Sequence, residues 1–154
     1  MAERTSALHR FFVDSAAVDG GAARVEGAQA HQLARVLRLR PGELVILVDG
    51  MGTEHVVELT AVTPTLVEGS VRETRPSVGE PRLRIALYQG LVTREKLETV
   101  IQKGTEMGVS TFVPVRCERS IVARGEAVDE RRLDRWRRIA TEAAEQSGRG
   151  AVPV

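Results

Sequence analysis

One stretch of this chain, residues 103–120, constrains its fold more than any other, because a helix there gives way directly to an apolar strand. Gly108 stands at the end of the helix, a position where the backbone often adopts the left-handed conformation that favours glycine. The β-branched run 109–115 follows at once, and polar side chains occupy residues 116–120. In open α/β sheets, ligands bind beyond the carboxyl ends of the strands. The stretch therefore predicts an α/β domain with a candidate site where this strand ends.

The helix and strand pattern extends over residues 76–154. A strand at 82–89 precedes a helix that Thr93 can cap, and a second helix begins after Asp129 and ends at Gly148. The predicted core positions of the two helices are Leu97, Val100, Ile101, Gly104 and Met107, then Leu133, Trp136, Ala140, Ala143 and Ala144.

The last four residues, AVPV, are typical of the start of a third strand. Two strands and two helices do not complete an α/β domain. We therefore expect the sequence to be a truncated or partial form of a longer polypeptide.

Residues 1–75 have the hydrophobic period of strands. An apolar run at 44–48 leads through the turn DGMG into the alternating segment 53–62, and a further strand covers 65–75. A short helix lies within residues 28–40, with Ala30, Leu33, Val36 and Leu37 on its apolar face. This half is predicted to be a small β-rich barrel, and Pro76 and Pro81 bound a linker, so the predicted domains are 1–75 and 76–154.

The charge of the chain is nearly balanced, at +1, so bulk electrostatics do not favour a nucleic-acid partner. Lys96 and Lys103 are the only lysines, and the other cations are arginines, which suit bidentate phosphate recognition. A coding bias toward arginine explains the bulk excess more simply. His31, Arg35 and Arg38 recur at helical spacing, which fits either a solvated helix face or a contact with an RNA backbone.

Several function classes lack their sequence signals. A single cysteine, Cys117, excludes an internal disulfide, and His9, His31 and His55 lack metal-ligand spacing, so we expect no metal site. Cys117 also has no identifiable base and acid partners for nucleophilic chemistry. Neither the Walker P-loop motif nor the GxGxxG dinucleotide-binding motif is present in the sequence. There is no apolar run of membrane-spanning length and no signal-peptide pattern, so a cytoplasmic protein without membrane contact is the simplest interpretation.

The order of the motifs resembles a known family. HRFFV at 9–13, HQLARVLRLRPGE at 31–43 and VDGMG at 48–52 precede two longer matches at 101–120 and 135–154. This order is similar to that of the ribosomal RNA small subunit methyltransferase E family, which are SPOUT-class enzymes. The most specific blocks are TE-x-GV and EAAEQS-x-R.

The resemblance implies a PUA-like RNA-binding barrel followed by a SPOUT-type α/β domain that is incomplete in this chain. It implies methylation of N3 of a specific uridine in 16S rRNA of the small ribosomal subunit, with S-adenosylmethionine as donor. It also implies a homodimer for the full-length protein. Family members bind the donor through a glycine-rich loop and a later knotted segment, so the cofactor-binding residues are expected mostly beyond Val154.

For this chemistry, Arg119 is the first candidate to stabilise charge that develops on the uracil oxygens, or to contact phosphate. Glu106 is a candidate proton acceptor, although pairing with Lys103 is an equally good interpretation. Gln146 is a candidate for a hydrogen bond to a base edge, with Glu142 in a supporting role. The predicted RNA-binding residues are Arg10, His31, Arg35, Arg38, Arg40 and Arg149.

Two alternatives stay open from the sequence. One is a non-catalytic RNA-binding protein that keeps the barrel and a degenerate α/β remnant. The other is a generic nucleotide-binding α/β protein with a β-barrel appendage. The reading frame beyond Val154 discriminates the first from the enzyme, since a glycine-rich loop there indicates the enzyme and a stop codon favours the remnant.

Overall fold

The computed structural model describes residues 8–118 and 128–154 of the chain. Its contacts divide the chain into two compact units between Ser77 and Val78, two residues after the boundary predicted from sequence.

The N-terminal unit is a single six-stranded mixed sheet. Its strands are β1 (Arg10–Phe12), β2 (Val18–Asp19), β3 (Ala22–Glu26), β4 (Leu44–Val48), β5 (Thr53–Val62) and β6 (Leu66–Pro76), in the order β1-β4-β5-β6-β3-β2. The first strand runs parallel to β4, and the other four pairings are antiparallel. A 3₁₀ turn, Ser15–Ala17, precedes β2.

Both ends of this sheet contribute to one core. Phe11 comes from the β1 end and Ala23 from β3 near the other end, and both pack into the same apolar cluster. The other buried members are Val25, Ala30, Leu33, Val45, Leu47, Val57, Leu59 and Val67. The sheet therefore curls around its core, as the predicted barrel requires, although β1 and β2 do not pair with each other among the described strands.

The predicted short helix differs from a regular α-helix. It begins as α1 (Gly27–His31) and continues as one π-helical turn over Gln32–Val36, where Leu37 N–H donates to the carbonyl of Gln32 at 3.0 Å. A five-residue hydrogen-bond step changes the side-chain period. Ala30 and Leu33 are fully buried, but Val36 is 67% exposed, so its predicted place on the apolar face is wrong.

Strand β5 also departs from simple alternation. Register shifts occur between Val56 and Val57 and between Leu59 and Ala61. A β-bulge adds a residue on one strand and changes the side-chain phase. Glu54, near the start of this strand, is a charged residue whose side chain is only 1% exposed.

The C-terminal unit is built on two parallel strands, β7 (Ile85–Gly90) and β8 (Val109–Val115). Helix α2 (Arg94–Glu106) connects them, and α3 (Glu130–Ser147) follows β8 and packs on α2. Their shared core contains Leu91, Leu97, Ile101, Trp136 and Ala140, with Phe112 and Leu133 packed against it. These contacts confirm the predicted α/β pattern and most of the predicted core face of α3.

Both helix ends of α3 are as predicted. Asp129 accepts a hydrogen bond from Arg132 N–H at 2.9 Å, and Gly148 ends the helix with φ of 74°. In α2, Thr93 stands at the N-cap but its side chain makes no capping hydrogen bond. Met107, predicted in the core, is 81% exposed, because α2 ends at Glu106 and Thr105 takes the buried position instead.

The final residues run beside β8. Val154 N–H donates to the carbonyl of Ser110 at 3.1 Å, and Phe112 N–H donates to the carbonyl of Val154 at 2.8 Å. This is the hydrogen-bond pattern of a parallel pair. It agrees with the third strand predicted from AVPV.

Candidate functional site

The carboxyl ends of β7 and β8 form one edge of the sheet in the C-terminal unit. The chain leaves β7 at Gly90, and Leu91 N–H donates to the carbonyl of Val115 at 2.9 Å. A Cβ at Gly90 would lie 3.3 Å from the Cys117 sulfur, so a glycine keeps this strand end open. Arg116 and Cys117 are exposed here. Arg119, the predicted charge stabiliser, follows them in sequence and lies outside the described residues.

Arg149 lies at the opposite edge, and it is buried. Its side chain is 3% exposed, and Nη1 donates to the carbonyls of Val109 at 2.6 Å and Thr105 at 3.3 Å. Nε and Nη2 donate to the two carboxylate oxygens of Glu80, at 3.1 and 3.0 Å. This placement speaks against the predicted phosphate contact, because the guanidinium is taken up by protein acceptors.

Glu80 completes this cluster by accepting from the backbone as well. Its Oε1 accepts from the N–H groups of Gly150 and Ala151, each at 3.0 Å. Burial raises the pKa of the Glu80 carboxyl, but the hydrogen bonds from Arg149 and from the two backbone N–H groups outweigh it, so the pKa lies below the usual range. The carboxylate therefore stays ionised and holds the turn after α3 against the segment before β7.

Glu106, the predicted proton acceptor, pairs with Lys103. The ammonium lies 2.8 Å from one carboxylate oxygen and 3.0 Å from the other, three residues apart on α2. This is the surface pairing that the sequence left as the alternative. Glu106 also lines a shallow cavity of about 220 Å³ together with Glu80 and Arg149.

Gln146 lines a different surface, a groove of about 350 Å³ between α2 and α3. Glu98 is the best-anchored group there, since Arg135 Nη2 donates to it at 2.8 Å and Arg94 Nε donates at 3.0 Å. The hydrogen bond from Arg135 lowers the pKa of Glu98 most, partial burial opposes it, and Arg94 lowers it further, to about 2. Glu142 also lines this groove.

Of the three predicted catalytic residues, the structure describes Glu106 and Gln146, and these two line different cavities. Glu106 lies beside the start of β8, whereas Arg119 belongs to the segment that follows its end. A strand of seven residues separates these two edges by roughly 20 Å.

Four of the predicted RNA-binding residues share one part of the N-terminal unit. His31, Arg35, Arg38 and Arg40 are all exposed on and just after the α1 and π-helical segment. Arg38 has a positive φ of 56°, which a non-glycine residue adopts rarely. The Arg40 N–H donates to Glu43 at 2.6 Å, which fixes the turn that follows.

Arg10 differs from these four because a buried carboxylate binds it. Its Nη2 lies 2.7 Å from Glu54, and Arg75 Nε donates to the other oxygen of Glu54 at 2.7 Å. Burial raises the pKa of Glu54, and the hydrogen bonds from Arg75 and Arg10 more than offset this, so the pKa is lowered overall. The geometry favours a structural role for Arg10 over the predicted RNA contact.

Sequence reasoning missed the two anchoring carboxylates, Glu54 and Glu80. Neither has a local signal, since their arginine partners stand 21 and 69 residues away in sequence. Within the two described ranges, no group of histidine, cysteine or carboxylate side chains could hold a metal ion. No helix in the part of the chain that the structure describes is long and apolar enough to cross a membrane.

Two family models match the chain, one for each unit. An RNA methyltransferase domain matches residues 79–154, and an RNA methyltransferase PUA domain matches residues 25–71. The ribosomal RNA small subunit methyltransferase E of Bacillus subtilis is 35% identical over 129 residues, which are 84% of this chain and 50% of that protein. The protein of the same name from Mycobacterium bovis is 32% identical over 148 residues, 93% of this chain and 54% of that protein. This chain belongs to the ribosomal RNA small subunit methyltransferase E family.

Solved structures of this family and its neighbours have the same fold. A ribosomal RNA small subunit methyltransferase E from Neisseria gonorrhoeae, bound to S-adenosyl methionine, superposes with a TM-score of 0.82 and 31% identity, covering 95% of this chain and 59% of that one. A putative methyltransferase from Legionella pneumophila, in complex with the same cofactor, has a TM-score of 0.82 and 25% identity, covering 95% and 60%. The chain spans about half the length of the curated relatives it matches.

Proposed function

We propose that the protein containing this chain transfers a methyl group from S-adenosylmethionine to N3 of a uridine in 16S rRNA. The observation that carries the proposal is the similarity, over 95% of the chain, to a family member bound to S-adenosyl methionine. The two RNA methyltransferase models support it for both units. The finer assignments, N3 of uridine and the SPOUT class, rest on the motif blocks TE-x-GV and EAAEQS-x-R.

The residues of this chain fit one side of a donor site. Gly90 leaves the end of β7 open, and the adjacent backbone of Leu91 is held to Val115, so a ligand can approach the carboxyl edge of the sheet closely. The groove between α2 and α3 is lined mainly by charged and polar helix residues, unlike the apolar pockets that enclose drug-sized ligands. We therefore do not assign the donor pocket to this groove.

The bound donor would supply the electrophilic methyl group, and the protein would position the base and manage its charge. Removing the N3 proton of uridine spreads negative charge over the two carbonyl oxygens of the base. A cation placed there lowers the barrier, and Arg119, four residues after the last residue of β8 in sequence, is the proposed residue. Glu106 is a weaker candidate than the sequence indicated, because Lys103 binds its carboxylate at the other edge.

The RNA-binding surface of the N-terminal unit is proposed to consist of His31, Arg35, Arg38 and Arg40. All four are exposed, and the cationic guanidinium groups suit phosphate oxygens. Contacts of this kind position an RNA without reading its sequence. We further propose a homodimer in the cytoplasm, which the family resemblance supports and light scattering of the purified protein would test.

Methyl transfer to small ribosomal subunits tests the proposed activity. Unmodified subunits are incubated with labelled S-adenosylmethionine and the complete protein, and the modified nucleoside is identified by mass spectrometry. We expect N3-methyluridine in 16S rRNA. Label at another atom or in another RNA would overturn the specificity, and RNA binding without any transfer would favour the non-catalytic alternative.

Arg119 has its own test in the same assay. Arg119→Ala should lower the rate of methyl transfer by about 10²-fold or more with little change in melting temperature. Arg116→Ala, at the same edge, serves as the matched control. Equal losses of activity and stability in Arg119→Ala would make the residue structural.

The methyl donor is tested by calorimetric titration of S-adenosylmethionine into the 154-residue chain. Absence of binding would show that this chain does not form the donor pocket by itself. Stoichiometric binding to the 154-residue chain would show that residues 76–154 already form the pocket.

A further inference from the structure

Helix α3 carries a dense group of cations that the assignments above do not use. Five arginines occupy eight consecutive positions in its first half: Arg131, Arg132, Arg135, Arg137 and Arg138. Clustering of arginine along one helix is the electrostatic footprint of a nucleic-acid contact. The arrangement and surroundings of each guanidinium decide which of them are available for such a contact.

The charges of α3 are arranged against the helix dipole. Its N-terminal half carries the arginines, whereas Glu142 and Glu145 lie in the second half and the last turn has no basic residue. A helix dipole favours acidic groups near the N-terminus and cations near the C-terminus. Glu130 and the capping Asp129 satisfy this rule, but the arginines do not. Of the five, Arg131 and Arg132 lie in the first turn, where the dipole acts most strongly, so their position costs a little stability.

Three of the five arginines are engaged with other side chains. Arg135 binds Glu98 of α2, and Arg137 Nη1 lies 3.0 Å from Asp134. The guanidinium of Arg132 lies 5.7 Å from the centre of the Trp136 ring, in a cation–π contact. These contacts fix the inner and lateral faces of the helix.

Arg131 and Arg138 are different. Both are exposed, and neither lies within ion-pair distance of a carboxylate in the ranges 8–118 and 128–154. A spacing of seven residues places them on the same face of α3, two turns or about 10 Å apart. Asp134 lies between them on this face, but Arg137 holds its carboxylate. The face therefore presents two exposed guanidinium groups that form no ion pair with a carboxylate of the described ranges.

These two arginines belong to the half of α3 that is nearer the candidate site. The far end of α3 leads into Arg149, which contacts Val109 at the start of β8. In its first half, Arg135 contacts Glu98, in the second turn of the helix that follows β7. The first half of α3 thus lies toward the carboxyl edge of the sheet, where Gly90 and Arg116 are found.

We propose that Arg131 and Arg138 bind two backbone phosphates of the RNA substrate, forming a second RNA contact on the C-terminal unit. This inference rests on the proposed function, because it assumes an RNA substrate. It adds a phosphate-binding face in the α/β unit to the exposed cations of the N-terminal unit. Such contacts would hold the RNA near the edge at which the base reacts.

The salt dependence of RNA binding tests this proposal. Binding of a short single-stranded RNA and of isolated small ribosomal subunits is measured over a series of KCl concentrations. The double variant Arg131→Gln, Arg138→Gln should bind more weakly. For the single strand, the slope of log affinity against log salt should fall by about 1.4 for the two lost phosphate contacts. The matched control is the double variant Arg24→Gln, Arg72→Gln, which removes the same number of charges from exposed arginines that are already paired with Glu26 and Glu58, and its slope should stay close to that of the wild type.

Thermal unfolding supplies a second readout with the opposite sign. Removing two cations from the unfavourable half of α3 should leave the melting temperature unchanged or raise it slightly. Weaker RNA binding by a variant that is at least as stable as the wild type cannot come from loss of fold.

The outcomes separate this inference from the proposed function. An unchanged slope in the double variant, with RNA binding retained, would overturn the α3 contact and leave the proposed function standing. An equal loss in the control variant Arg24→Gln, Arg72→Gln would attribute the effect to net charge and would also overturn the α3 contact. If the wild-type chain bound neither RNA at low salt, while the complete protein still methylated subunits, the α3 contact alone would be overturned. If the protein neither bound nor methylated the subunits, both the α3 contact and the proposed function would be overturned.

Discussion

The two units each bury a charged pair, but they bury opposite members of it. In the N-terminal unit the carboxylate of Glu54 is 1% exposed, while its partners Arg10 and Arg75 are 15% and 43% exposed. In the C-terminal unit Arg149 is the buried member, 3% exposed against 31% for Glu80. Which partner is removed therefore decides whether a charge is left uncompensated inside the protein.

The comparison also separates the arginines predicted to bind RNA. Arg10 and Arg149 serve these internal pairs, whereas Arg35, Arg38 and Arg40 remain exposed. Residue type and sequence position do not distinguish the two groups. The two groups differ in their tertiary contacts, because Arg10 and Arg149 bind carboxylates that lie 44 and 69 residues away in sequence.

The largest effect is expected for Glu80→Ala. The change leaves the buried guanidinium of Arg149 without its carboxylate and frees two backbone N–H groups, which should destabilise the C-terminal unit by about 3–5 kcal/mol. Urea unfolding followed by fluorescence of Trp136, the single tryptophan, measures this unit directly. A loss below about 1 kcal/mol would mean that the cluster contributes little.

A backbone contact in the same cluster gives the next largest effect. A Cβ at Gly79 would lie 1.8 Å from the carbonyl oxygen of Gly148, so Gly79→Ala must displace the segment from the turn after α3. We expect destabilisation of about 3 kcal/mol. Gly20→Ala is an informative contrast, because φ is +55° there but no atom lies within 4 Å of the added Cβ. A loss for Gly79→Ala no larger than that for Gly20→Ala would mean that the segment yields easily to the added Cβ.

Glu54→Gln should have a smaller effect than Glu80→Ala. The amide keeps the shape of the side chain, and Arg10 and Arg75 can reach solvent, so no charge is stranded. Loss of charge-assisted hydrogen bonds should cost about 1.5–3 kcal/mol. Because the N-terminal unit has no tryptophan, far-ultraviolet circular dichroism is the suitable probe. A cost larger than that of Glu80→Ala would contradict the comparison.

The smallest predicted effect is a pH dependence at Glu98. Its folded pKa is about 2, below the unfolded value, so its contribution is fully present above about pH 4.5 and is lost as the pH falls toward 2. Glu54 and Glu80, whose pKa values are also lowered, add to the same acid loss. Melting temperatures between pH 5 and 2 should fall less steeply in Glu98→Gln than in the wild type. If the melting temperatures of the two proteins fell equally steeply with pH, Glu98 would not contribute to the loss of stability in acid.

Much of the C-terminal unit could be predicted because its signals are local. Helical periodicity located Trp136, Ala140 and Ala144 on the buried face of α3, and Asp129 and Gly148 marked its ends. These features depend on neighbours three or four residues away. The same logic failed where the backbone departs from its regular period, as at Val36 after the π-helical turn and at Met107 beyond the end of α2.

The candidate site was harder to predict, because proximity in sequence differs from proximity in space. Glu106 and the segment leading to Arg119 flank one strand, and an extended strand separates its two ends. Glu80 lies in a proline-bounded linker that gives no sign of its partner 69 residues away. The distances between these groups are therefore set by the tertiary structure and cannot be read from their separation in sequence.

The sequence by itself determined the two-part organisation, the strand and helix periods, the ends of α3 and the resemblance to an RNA methyltransferase family. The tertiary structure decided which charges are buried. A charge enters the interior only when distant groups supply its hydrogen bonds, as Val109, Thr105 and Glu80 do for Arg149. Those partners are set by packing between elements, so no local pattern can identify them.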